Sequence, residues 1–136
     1  MHETSYALMI VDAVMEALKE RNLEGAKVKK IFLRVGELSL IDPIALQNAF
    51  DALTADIPSL SGAKLEIEIV PAKIKCKNCG RVWSFKELYP ELKENIPIIH
   101  LYPHIVAELL KCPKCGSTDT EILQGDEFQV IGFEVE

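Results

Sequence analysis

The sequence is short of the signals that mark most enzyme classes. It contains no G-x-G-x-x-G, no G-x-x-x-x-G-K-[ST], no G-x-S-x-G and no H-E-x-x-H, so dinucleotide, nucleotide, serine-hydrolase and zincin chemistry find no support. Glu37, in Val35-Gly36-Glu37-Leu38-Ser39, is an acid at the end of a strand-like run with no base or nucleophile beside it. It reads as a surface or turn-capping residue, and the chain is not expected to be an enzyme. Long apolar runs are missing as well: the uncharged stretch Ile96–Ala107 has 12 residues, holds two prolines and two histidines, and falls short of the ~20 residues needed to span a bilayer. No basic residue precedes Lys19, so the charged start of a signal peptide is lacking and a cytoplasmic protein with its natural start is expected. Basic residues are in the minority, 15 Lys+Arg against 21 Asp+Glu, for a formal charge of -6 and a pI near 5.1. That balance offers no general attraction to phosphate backbones or anionic lipid, so neither nucleic acid nor a membrane is expected as a partner.

What is present is enough to build a core. With 136 residues, 49% of them hydrophobic and 26% charged, the chain is expected to form one globular domain or two small ones. Ala7, Leu8, Val11, Met15 and Leu18 recur at helical spacing, with Asp12, Glu16, Lys19 and Glu20 mostly opposite. This predicts an amphipathic helix over Thr4–Arg21, capped by Thr4 or Ser5, with Met1, His2 and Glu3 projecting from its start. Val28–Val35 alternates as a half-buried strand with Ile31, Leu33 and Val35 inward. Asp42-Pro43 reads as N-cap and first helical position of a second helix through Ile44, Leu46, Phe50 and Leu53, ended by Pro58 and Gly62. Leu65–Val70, with Leu65, Ile67 and Ile69 inward, and Phe128–Glu136, with Ile131, Phe133 and Val135 alternating, complete a set of three strands. Between those last two lie all four cysteines, Trp83 and a cluster of prolines at 71, 90, 97, 103 and 113. The expected architecture is therefore α+β: two helices on a three-stranded sheet, residues 1–71 plus 126–136, with a cysteine domain of residues 72–125 inserted before the last strand.

The cysteines form two C-x-x-C-G knuckles, Cys76-Lys77-Asn78-Cys79-Gly80 and Cys112-Pro113-Lys114-Cys115-Gly116, separated by 32 residues. A knuckle with glycine after its second cysteine can wrap tightly round a tetrahedral ion, and two of them fill every position around Zn(II). Paired disulfides would conflict with a cytoplasmic chain, and a redox dithiol would leave one knuckle without a role. A rubredoxin-like iron centre has the same spacing and stays open at this point. A site with four thiolates has no free coordination position, so zinc here is expected to be structural and to supply folding energy that a segment of about 50 residues lacks.

The chain start is a second place where a metal could bind. The imidazole of His2, its backbone N–H and the α-amino group of Met1 can converge on one ion, a nitrogen-rich set suited to square-planar Ni(II) or Cu(II), and Glu3 adds an oxygen or a further amide. A histidine at position 2, taken alone, is better read as an ordinary chain end. His100 and His104 flank Pro103, which argues against a regular helix through both, and each alone is better read as a core or surface histidine.

Met1-His2-Glu3 opening an amphipathic helix, Val35-Gly36-Glu37-Leu38, Pro71-Ala72 leading into Cys76-x-x-Cys79, and Cys112-Pro113-x-Cys115-Gly116-Ser117 together resemble the HypA/HybF family of hydrogenase maturation proteins over essentially the whole chain. The resemblance implies a nickel metallochaperone that delivers Ni(II) to the large subunit of [NiFe]-hydrogenase, working with the HypB GTPase, and it leaves room for a homodimer. It carries the nickel site onto Met1, His2 and Glu3 and the zinc site onto Cys76, Cys79, Cys112 and Cys115. The 32 residues between knuckles look like the longer archaeal form, in which a loop histidine matching His100 can reach the nickel; His104 has no counterpart. The alternatives are a zinc-ribbon module that binds nucleic acid and a zinc-stabilised adaptor without nickel. Seven Lys+Arg against six Asp+Glu over residues 74–125, with about -2 from a four-thiolate zinc, leave no basic footprint for the first.

Overall fold

The structure, a computed structural model, describes residues 3–84 and 111–136. Its elements in chain order are helix α1 (Glu3–Glu20), strand β1 (Val28–Gly36), a short 3-10 turn (Glu37–Ser39), helix α2 (Pro43–Thr54), and strands β2 (Lys64–Val70), β3 (Lys73–Cys76), β4 (Val82–Ser84), β5 (Thr120–Gln124) and β6 (Phe128–Val135). The strands form two three-stranded sheets, ordered β2-β1-β6 and β4-β3-β5. The chain divides into two compact units: one built from the segment ending at Arg34, Ile41–Glu68 and Gln129–Glu136, the other from Val35–Leu40 and, among the described residues, those within Ile69–Phe128.

The first unit is the expected pair of helices with the sheet β2-β1-β6. Ile31 and Leu33 on β1 are buried, as their alternation with Lys30 and Arg34 requires. Helix α2 starts where Asp42 accepts a hydrogen bond from the Ile44 amide at 2.9 Å, with Pro43 at the first helical position. Gln47 ties α2 to the adjacent strand, donating to the Ala63 carbonyl at 3.2 Å and accepting from the Leu65 amide at 2.8 Å.

Several expected faces are rotated or opened. The buried stripe of α1 is Ala7, Ile10, Val11, Val14 and Leu18, whereas Leu8 and Met15 are exposed. Ala7, Val11 and Leu18 are buried as expected, and Ile10 and Val14, with Leu18 at four-residue steps, take the inward places expected of Leu8 and Met15. The helix also begins at Glu3, so Thr4 and Ser5 lie inside its first turn instead of capping it. On α2, Leu46 and Phe50 are buried but Ile44 and Leu53 are exposed, and Thr54 takes an inward place by donating its hydroxyl to the Phe50 carbonyl at 2.8 Å. Ile69 and Ile131 are both nearly half exposed; β2 and β6 are the edges of their sheet, where one flank of every residue lacks a neighbouring strand.

The second unit is a small antiparallel sheet that the alternation of hydrophobic residues did not announce. β3 is its centre, with Ile74 opposite Trp83 on β4 and Ile122 on β5. Ile74 and Cys76 face inward and Lys73 outward. Strands of three to five residues are too short for a period to be read.

Candidate metal centre

The alternation of β3 decides which sulfurs point inward. Cys76 shares the inner face with Ile74 and is buried, while Cys79, beyond the turn, is exposed. The Gly80 amide donates to the Cys76 carbonyl at 2.9 Å and the Cys79 amide points at the Cys76 sulfur at 3.5 Å. Gly80 has φ +80, the left-handed conformation that closes the turn and that suits glycine. The second knuckle repeats this geometry: the Gly116 amide donates to the Cys112 carbonyl at 2.8 Å, the Lys114 amide to the Cys112 sulfur at 3.4 Å, and Gly116 has φ +74. Cys112 is buried and Cys115 exposed, matching Cys76 and Cys79.

All four sulfurs lie within 4.8 Å of one another, with Cys76 to Cys115 at 3.6 Å and Cys79 to Cys112 at 3.5 Å. A tetrahedron with metal–sulfur bonds near 2.3 Å has sulfur–sulfur edges of about 3.8 Å. A disulfide would need about 2.05 Å, and all four thiols are free. The quartet fits a closed tetrahedral ion such as Zn(II). The electrostatics point the same way. The Ser117 backbone amide, then the Asn78 side chain, hold the Cys115 thiol down at about 6. At Cys79 the Arg81 amide pulls downward, but desolvation and the three neighbouring thiols outweigh it and push the group up to about 11. One thiolate forms readily, and the last proton leaves only when a cation offsets four crowded negative charges.

Behind the sulfurs lies a buried cluster of Leu38, Ala72, Ile74, Cys76, Trp83 and Cys112. Two of its members are ligand candidates, so the packing of this unit and its metal site are the same object. Leu38 comes from the turn after β1, and its neighbour Glu37 accepts a hydrogen bond from the Ala72 amide at 2.8 Å. Glu37 thus does cap a backbone amide, one that lies 35 positions away in sequence. Nothing local in the sequence marks that pairing.

Of the expected site residues, the four cysteines are brought together, and among the described residues theirs is the one group of three or more potential metal ligands. Glu3 opens α1, half-buried, and is not part of that group. Met1, His2, His100 and His104 lie outside the described residues.

A family model described as "Hydrogenase/urease nickel incorporation, metallochaperone, hypA" matches residues 1–135. The chain belongs to the HypA family. It is 63% identical over 134 residues to the hydrogenase maturation factor HypA of Ignicoccus hospitalis, covering 98% of this chain and 96% of that one. With the HypA of Thermococcus gammatolerans it shares 36% identity over 138 residues, 100% of this chain and 96% of the other. Among solved structures, the solution structure of the Ni metallochaperone HypA from Helicobacter pylori aligns over 99% of this chain and 97% of that one, with a TM-score of 0.60 at 23% identity. At that identity the HypA likeness is one of fold.

Proposed function

We propose that this protein carries Ni(II) for the maturation of [NiFe]-hydrogenase, and that the observation bearing most weight is the match of the nickel-incorporation family over residues 1–135. In this reading nickel is cargo, held by the α-amine of Met1, the imidazole and backbone amide of His2, and Glu3, with His100 as a further ligand. Zinc is the resident metal, held by Cys76, Cys79, Cys112 and Cys115, and it supplies folding energy without an open position for chemistry. The nickel-binding part is assigned to the expected domain of residues 1–71 with 126–136 and the zinc-binding part to residues 72–125, with Val35–Leu40 packing in the latter's unit. The partners are the HypB GTPase and the hydrogenase large subunit, the setting is the cytoplasm, and a homodimer is compatible with this role. No helix among the described residues is long and apolar enough to cross a membrane.

The donor sets support a division of labour. Soft thiolates in a tetrahedron suit Zn(II), which has no geometric preference of its own, while amine, amide and imidazole nitrogens suit the square-planar or tetragonal preference of Ni(II). Nickel titration of the untagged protein tests the reading. One nickel per chain is expected with zinc retained, and His2→Ala should abolish it without changing zinc content; undiminished nickel affinity in His2→Ala would refute it. One added residue before Met1 should weaken binding by removing the α-amine from the site.

A further inference from the structure

The connection between β1 and α2 sits in the first half of the chain, yet it packs as part of the cysteine unit. Leu38 is fully buried in the cluster that contains Cys76 and Cys112, and Leu40 packs against the same cluster. Two backbone hydrogen bonds and one to a side chain hold the connection there: the Gly36 amide to the Glu127 carbonyl at 2.7 Å, the Leu38 amide to the Gly125 carbonyl at 2.8 Å, and the Ala72 amide to the Glu37 carboxylate at 2.8 Å. There is no slack in this arrangement. A Cβ on Gly36 would meet the Gly125 carbonyl oxygen at 2.1 Å, and one on Gly125 would meet the Ala72 Cα at 2.4 Å.

Leu40 adds a sign of constraint. Its φ is 54, in the left-handed region, where a bulky residue is an outlier that persists only when its surroundings hold it. Those surroundings are the cysteine unit's buried cluster. Leu40 is also two residues before Asp42, which caps α2.

We propose that Gly36–Leu40 is a zinc-dependent segment: metal in the four-cysteine site fixes the turn through Leu38, Leu40 and Glu37. Glu37 and Leu38 are positioning residues of the metal site, acting through the packing behind Cys76 and Cys112 and not as ligands. This rests on the reading that the quartet holds zinc. Its physical basis is linkage: a segment whose contacts exist only in the metal-loaded unit raises metal affinity by the amount that metal stabilises the segment.

Amide hydrogen exchange of the full chain, with zinc and after removal by a chelator, tests this. Protection of the Leu38 and Leu40 amides should fall at least about tenfold on zinc removal, while amides in the middle of α1 keep theirs. In chelator competition, Leu38→Ala should weaken zinc binding by at least about tenfold, the scale of a truncated core leucine, with the milder Leu38→Val and Glu37→Gln intermediate. If Trp83 emission reports that the ribbon has opened but protection at Leu38 and Leu40 is unchanged within about twofold, the dependence on zinc is refuted while the zinc site stands. Unaltered zinc affinity in both Leu38 variants and Glu37→Gln would refute the positioning role. Trp83 emission indifferent to complete zinc removal would overturn the structural zinc reading itself, and this inference with it.

Discussion

Removing zinc should unfold one unit and spare the other, and the structure provides a separate reporter for each. The single tryptophan, Trp83, is buried in the cluster beside Cys76 and Cys112, whereas α1 and α2, the α-helices among the described residues, of 18 and 12 residues, belong to the first unit. Tryptophan fluorescence therefore follows the cysteine unit, and amide-exchange protection within α1 and α2 follows the other. Among the described residues, the large apolar side chains fully packed behind the sulfurs are Leu38, Ile74 and Trp83, and at about 1.5–3 kcal/mol each their burial contributes about 5–9 kcal/mol. Binding of a structural zinc contributes about 10–16 kcal/mol. The metal term is the larger, so the short strands β3, β4 and β5 are expected to lose their order with it. Stripping zinc with a strong chelator at neutral pH, or making Cys76→Ser, should shift Trp83 emission to that of a solvated indole, with little loss of protection in α1 and α2. The first unit keeps its own core, including Ile10, Val14, Ile31, Leu33, Leu46 and Phe50. Zinc-free protein with Trp83 emission unchanged would refute the argument, and so would parallel loss of fluorescence and helix protection.

Comparison of His100→Ala with His104→Ala in nickel titrations should show weakened binding in the first alone; equal affinity of both with the parent removes His100 from the site. Gly36→Ala should destabilise the cysteine unit by about 3 kcal/mol or more, since its Cβ meets backbone instead of a side chain that can turn away, and this is read as a fall in the denaturant midpoint of the Trp83 transition. Acid should release nickel at a higher pH than zinc, because an α-amine and an imidazole, with ordinary values near 7 to 8 and about 6.5, hold nickel against protons with few donors, whereas a zinc closed by four thiolates binds with about 10–16 kcal/mol; a pH titration followed by metal analysis shows the order, and simultaneous release would contradict it.

What could be read in advance follows the range of the interactions involved. The two helices and the three strands of the first sheet were legible because each carries its own period, and the start of α2 because Asp42 and Pro43 act within one turn. Ligand spacing is equally local: two glycine-ended knuckles declare themselves wherever the fold puts them, and the structure brings all four sulfurs to one point. The exact buried face of α1 was not legible, since Leu8 and Ile10 are both apolar and only packing decides that Ile10 is buried and Leu8 exposed. Nor could periodicity reveal β3, β4 and β5, whose order depends on pairing and on Trp83 and Ile122 closing over Ile74.

The β1–α2 turn shows the same limit at the metal site. Val35-Gly36-Glu37-Leu38 is visible as a motif, but its partners Ala72, Gly125 and Glu127 stand far along the chain. A carboxylate that caps a distant amide looks in sequence like any exposed acid, and a leucine behind a metal ligand looks like any core leucine. The ligands of a metal site can thus be found from spacing alone, whereas the residues that hold those ligands in place become visible only when the chain is folded.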